Sequence, residues 1–192
     1  MRTILFALLC FGATLATAQD VKIDRTGNSA VEARMESAGH IRMGLCPGGI
    51  EVVGIDEPVL RVSNLSGKAR VRINVSGDHA ELRLTDCPHS NFRARIELPK
   101  SSALYVRMFA GQLDVRGVAG DKNIELSFGQ LNLDAGNSED YARVDASVNS
   151  GTIDASPFDV HKGGLFRSFD QTGNGKYRLH AHVTAGDLIL KS

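Results

Sequence analysis

The chain has 192 residues, with Lys+Arg and Asp+Glu balanced at 22 each, 42% apolar residues and 6% aromatic ones. That length fits one domain, the apolar share supplies a core and excludes a disordered chain, and zero net charge removes the basic field that nucleic-acid binding requires. Twenty glycines against five prolines, with no tryptophan, suit narrow strands and tight corners.

The chain opens with Met1-Arg2, an apolar run from Ile4 to Ala16, and the small-x-small step Ala16-Thr17-Ala18. This pattern predicts a signal peptide over residues 1–18 with cleavage before Gln19. The run is shorter than the roughly 20 residues a spanning helix needs. No later segment reads as membrane-spanning, so the expected location is the periplasm or the cell exterior. Export leaves Cys46 and Cys87 in an oxidising compartment, each followed by proline. A disulfide is the favoured reading; the rival is a metal site of Cys46, Cys87 and His89, which lacks a close ligand pair.

Over residues 19–99 a period of two dominates. Val31, Ala33 and Met35 alternate with polar residues, as do Ile41, Met43 and Leu45, then Val71, Ile73 and Val75, then Leu82 and Leu84. This is the signature of half-buried strands. Ser76-Gly77-Asp78-His79 reads as a hairpin connection, and Ala94, Ile96 and Leu98 form a strand that ends at Pro99. These residues are expected to make an antiparallel or irregular β lead-in.

Over residues 100–192 the pattern becomes a repeat. Four segments align on Gly111, Gly129, Gly151 and Gly186, with apolar or small residues three and one before each glycine and two and four after it. Met108, Ala110, Leu113 and Val115 fill those places in the first copy; Leu126, Phe128, Leu131 and Leu133 in the second. The inward phase slips by one residue at each glycine, which is what a corner or bulge does. Intervals of 18 and 22 residues match coils of a parallel β-solenoid, and the third, of 35, holds an insertion from Pro157 to Lys176. The insertion reads as a long loop or as a degenerate coil closing one end of the core. The expected fold is therefore all-β, a single-stranded parallel β-solenoid behind the lead-in. The terminal run Leu188 to Leu190 is expected to leave an open sheet edge for self-association.

The series Phe109-Ala110-Gly111-Gln112-Leu113-Asp114-Val115, Ser127-Phe128-Gly129-Gln130-Leu131-Asn132-Leu133, Asn149-Ser150-Gly151-Thr152-Ile153-Asp154-Ala155 and Thr184-Ala185-Gly186-Asp187-Leu188-Ile189-Leu190 resembles a bacterial family of candidate adhesins of unknown function. The resemblance implies Ser-Gly-Asp-Ile-type steps on a β-solenoid behind a signal peptide, and a surface-adhesion role. It carries no binding residues over.

Chemistry is sparse. Asp114, Asn132 and Asp154 hold equivalent places after the corner glycines and would form an outward ladder in stacked coils, a spacing compatible with glycosidase or calcium chemistry. His180 and His182 flank Ala181 on one strand and would face outward, where such pairs can take a transition metal. Gly173-Asn174-Gly175-Lys176 lacks the full phosphate-loop spacing and reads as a turn. No nucleophile–base arrangement is ordered by the sequence, so the chain reads as non-enzymatic and without a cofactor or metal. The densest polar feature is the set Arg70, Arg72, Arg83, Arg93 and Arg95, interleaved with Glu81 and Glu97. Cross-strand charge pairing accounts for it; contact with an anionic glycan or another envelope component is the sharper reading.

Overall fold

A computed structural model describes residues 20–192; the expected signal peptide lies outside them. Thirteen strands form one mixed, open sheet: β1 (Val21–Gly27), β2 (Val31–Arg34), β3 (His40–Leu45), β4 (Gly48–Ile55), β5 (Val59–Ser63), β6 (Ala69–Ser76), β7 (His79–Thr85), β8 (Arg93–Pro99), β9 (Ala103–Arg116), β10 (Lys122–Asp134), β11 (Tyr141–Ala155), β12 (Val160–Thr172) and β13 (Tyr177–Lys191). The only helical pieces among the described residues are two three-residue 3-10 turns. Strict alternation drives this outcome. In β6, Ala69, Val71, Ile73 and Val75 are buried while Arg70, Arg72, Asn74 and Ser76 face out.

The sheet is organised by β9. Its first half pairs in parallel with β3 and its second half with β4, while β10 pairs in parallel along almost its whole length. β3 in turn pairs in parallel with β7, and β4 with β8. The lead-in thus joins the parallel ladder, which the sequence did not disclose. Cys46-Pro47-Gly48 interrupts the alternation between β3 and β4 and serves as their corner. Antiparallel strands finish this end: β6 and β1 beyond β7, β5 and β2 beyond β8. One hydrophobic cluster runs from Val31 to Leu190.

At the other end the spatial order is β10-β13-β11-β12. The chain skips a place with β11, returns along it as antiparallel β12, and then threads β13 between β10 and β11. The insertion is therefore an edge strand. Of its apolar residues, Phe158 and Phe169 are buried, whereas Leu165 is exposed and Phe166 is 79% exposed. The expectation of an open edge at Leu188 to Leu190 is corrected, because β13 is paired on both sides. The bare edge belongs to β12. There Lys162 Nζ donates to Ser168 O at 2.8 Å and Arg167 Nε to Gly163 O at 2.9 Å. Cations covering edge carbonyls blunt a strand against pairing with another chain.

Gly48, Gly111, Gly129, Gly186 and Gly151 stack in register across this ladder, and all have positive φ, between 121° and 152°. A Cβ on Gly129 would overlap the carbonyl oxygen of Gly111, and one on Gly186 that of Gly129. The corner is wider than the alternation suggested. Residues three before and two after each glycine point inward, but the residue just before it does not: Phe128 is 47% exposed and Ser150 is exposed.

One inward position breaks the apolar pattern. Lys122 lies level with Leu104 and Leu179 and is only 3% exposed. Its Nζ donates to Gly120 O at 3.1 Å and Tyr141 Oη at 2.9 Å, and that hydroxyl donates to Ala135 O at 2.7 Å. Burial pushes the amine down to about 8, against the pull of Asp134, Asp121 and Asp140. Between about pH 8 and the ordinary lysine value near 10.4 the unfolded chain binds more protons, so stability rises with pH across that window; below pH 8 the full cost of the buried charge stands. Lys122→Met should therefore stabilise the protein by about 1–3 kcal/mol at pH 7. That gain should shrink by pH 10. Thermal melts at both pH values check it, and an equal shift at both would exclude the buried charge as its cause.

Candidate functional site

The bent ladder presents two outward faces, one carried by the strand halves before the corner and one by those after it. On the face after the corner, charges neutralise one another. Arg95 binds Glu51 at 2.6 Å and Glu97 at 3.0 Å; Arg61 binds Glu97 at 2.6 Å and Glu32 at 2.8 Å; Arg116 reaches Glu51 at 3.1 Å. Hydrogen bonds from Arg95, then Arg61, hold the Glu97 carboxyl below its ordinary value. Arg95 is thus committed to a structural network. Arg93 has no carboxylate partner among the described residues, and its backbone N–H donates to Ser66 Oγ at 2.7 Å.

The acid ladder on this face is broken. Asn132 Nδ2 donates to Asp114 Oδ1 at 2.7 Å, but the strand beside β10 is β13, which places Ile189 next to Asn132. Asp154 follows Ile189 and lies three strand spacings from Asp114, about 14 Å. That exceeds the roughly 5–9.5 Å over which two carboxylates share a glycosidic bond. The sequence placed these residues on adjacent coils because it followed chain order, which β13 does not.

The face before the corner is different. Register sets Asp24, Arg72, Arg83, Gly44, Arg107, Glu125, His182 and Ser147 side by side in one row across β1, β6, β7, β3, β9, β10, β13 and β11. Two residues away runs a parallel row with Glu81, Arg42, Tyr105, Asn123, His180 and Asp145. His180 Nδ1 is 3.1 Å from Asp145 Oδ2, and His182 Nδ1 is 2.9 Å from Ser147 Oγ. The two histidines are used by their neighbours, and no metal-ligating cluster occurs among the described residues. Arg70 forms a two-point pair with Asp24 at 2.7 and 2.8 Å, which holds the Asp24 carboxyl low. Arg72 Nε lies 3.4 Å from the same carboxylate without hydrogen-bond geometry. Guanidinium groups exceed carboxylates here: Arg70, Arg72, Arg83, Arg42 and Arg107 against Asp24, Glu81, Glu125 and Asp145.

In the middle of this face is a concavity of about 340 Å³. Its floor is Gly44, where an added Cβ would meet nothing within 4 Å, and its rim carries Arg42, Arg83, Arg107, Tyr105 and Glu81. Of these, the sequence singled out Arg83, with Glu81 interleaved beside it. Arg42, Tyr105 and Arg107 were missed because they lie on β3 and β9, far apart in the chain. The signal was Gly44, a glycine at an outward place in an alternating strand.

The fold has a solved counterpart. It is the crystal structure of a candidate cell adhesion protein from Clostridium sporogenes, similar with a TM-score of 0.51 and 12% identity over 90% of this chain and 99% of that one. The likeness is one of fold. No family model and no curated protein matches the chain. The disulfide between Cys46 and Cys87 is formed and joins the β3–β4 corner to the loop between β7 and β8. Gly111, Gly129, Gly151 and Gly186 sit at the bends, remote from Gly44, and organise the scaffold.

Proposed function

We propose that this is an exported, non-enzymatic protein with an adhesin-like or envelope-associated role. Its solenoid-like stack of bent strands would serve as a rigid platform, and the face carrying Arg70, Arg72, Arg83, Arg42 and Arg107 would contact an anionic partner. The observation that carries this reading is the surplus of guanidinium groups on that face, set against the mutually paired network of Arg95, Arg61 and Arg116 with Glu51, Glu97 and Glu32 on the other. The disulfide supports an oxidising compartment, and the structural counterpart is itself described as a candidate adhesion protein. A broad cationic face gives salt-dependent attachment to polyanions.

The test is retention of the purified protein on cell-envelope fractions. Wild type should be retained at low salt and released as ionic strength rises. Replacing Arg72, Arg83 and Arg107 together by glutamine should reduce retention at least tenfold with the melting temperature kept. Retention unchanged by that triple variant would overturn the reading.

A further inference from the structure

We infer that the concavity over Gly44 is a binding site for a single oxoanion group, a carboxylate, sulfate or phosphate, of the kind that acidic sugar units carry. The inference rests on the anionic-partner reading above and narrows it to one place and one chemistry.

Three features build the site. The first is room. Gly44 lies between Arg83 of β7 and Arg107 of β9, so the two arginines that flank it in the row are two strand spacings apart, about 9.6 Å. An oxoanion accepting one charge-assisted hydrogen bond on each side spans about 8 Å, from two N···O distances of about 2.8 Å and the width of the anion. Any side chain at position 44 would occupy that space. The second feature is pre-organisation. Glu81 holds Arg83 at 2.6–2.7 Å, Glu125 holds Arg107 at 2.9 Å, and the Arg42 and Arg107 guanidinium carbons lie 4.7 and 5.1 Å from the centre of the Tyr105 ring. The ring and the carboxylates fix donors that would otherwise lose rotamer freedom on binding. The third is unspent charge. Arg42 has no carboxylate partner among the described residues, so the rim keeps one cation more than the Glu81 and Glu125 carboxylates neutralise.

Tyr105 is a positioning residue on this account, because its ring is occupied by the two guanidinium groups and is not free to stack on a ligand. Glu81 and Glu125 act likewise, by orienting Arg83 and Arg107. The volume suits one sugar unit or a free anion; it is at the low end of the roughly 300–1,000 Å³ typical of ligand pockets.

The experiment is calorimetric titration of the full exported chain with oligogalacturonate, with the matching neutral galactose oligomer, and with inorganic sulfate and phosphate. Wild type should bind the acidic oligomer saturably and the neutral one not at all. Gly44→Val should weaken acid binding at least tenfold while leaving the melting temperature within a few degrees, since an outward β-branched residue has open space there. Arg42→Gln should weaken it similarly without adding bulk, and Tyr105→Leu should weaken it less while all three arginines remain. Arg93→Gln, on the other face, should change it less than twofold. If the acidic oligomer binds at least tenfold tighter than free sulfate and phosphate, the anion is polymer-borne; if they bind alike, it is a free ion, and the oxoanion site stands in both cases. Wild-type affinity in Gly44→Val, equal binding of the neutral oligomer, or no binding of any oxoanion would overturn the site. If titration succeeds while envelope retention ignores the arginine variants, the adhesin-like role fails and the site remains.

Discussion

Gly129→Val should leave little folded protein at temperatures where the wild type is fully native. Gly129 sits at the centre of the corner stack, with Gly111 on one side and Gly186 on the other. Its φ of 121° is one that side-chain-bearing residues rarely adopt. The added Cβ would also overlap the Gly111 carbonyl oxygen, a backbone atom that no rotamer change can move. Relief requires β9 and β10 to separate, which costs ladder hydrogen bonds worth about 0.5–1.5 kcal/mol each, on top of backbone strain of about 1–3 kcal/mol. The sum should exceed about 4 kcal/mol, within the range reserved for core and backbone lesions. At about 2–4 °C per kcal/mol for a chain of this size, the melting temperature should fall by at least about 8 °C. Gly44→Ala is the matched control. It too lies in a strand, but its Cβ would meet open space, so it should melt within a few degrees of wild type. Equal melting of the two variants would mean that the corner stack is not what selects glycine.

The same stack explains what could and could not be read from the residues alone. A one-residue slip in the inward phase located four corners, because the slip is a local property of alternation and survives whatever the neighbours do. The fifth member, Gly48, was hidden by the Cys46-Pro47 break, and with it the fact that β3 and β4 form one level of the ladder. Strand order was not local at all. Nothing in Tyr177–Lys191 distinguishes a strand that stacks after β11 from one that inserts before it, since its inward residues, Leu179, Ala181, Val183, Leu188 and Leu190, suit either place. That single insertion separated Asp154 from Asn132 and moved the open edge to β12. The arginine face shows the same limit. Arg70, Arg72 and Arg83 lie on a local hairpin and were visible as a cluster, whereas Arg42 and Arg107 reach them only through the parallel pairing of β3 with β7 and β9.

Replacing both Cys46 and Cys87 by serine should lower stability by about 4 kcal/mol, most of it through the unfolded state. The bond closes a loop with a sequence separation of 41, and loop-closure entropy for that length corresponds to about 4 kcal/mol at room temperature. Its native geometry suits the task, because the bonded cysteines tie a buried corner to the loop that precedes β8. That loop ends at Phe92, which is fully buried and whose carbonyl accepts the Gly49 N–H at 2.8 Å. Losing the bond therefore removes a restraint on the unfolded chain and loosens the one long interruption within the β7–β8 level. The melting temperature should drop by roughly 8–16 °C, and treatment of the wild type with a thiol reductant should reproduce most of that drop. Amide exchange should rise first over residues 86–92, while β10 and β13 keep their protection until global unfolding. A fall of less than about 3 °C, or exchange that rises uniformly along the chain, would show that the ladder and not the crosslink holds the corner to the loop.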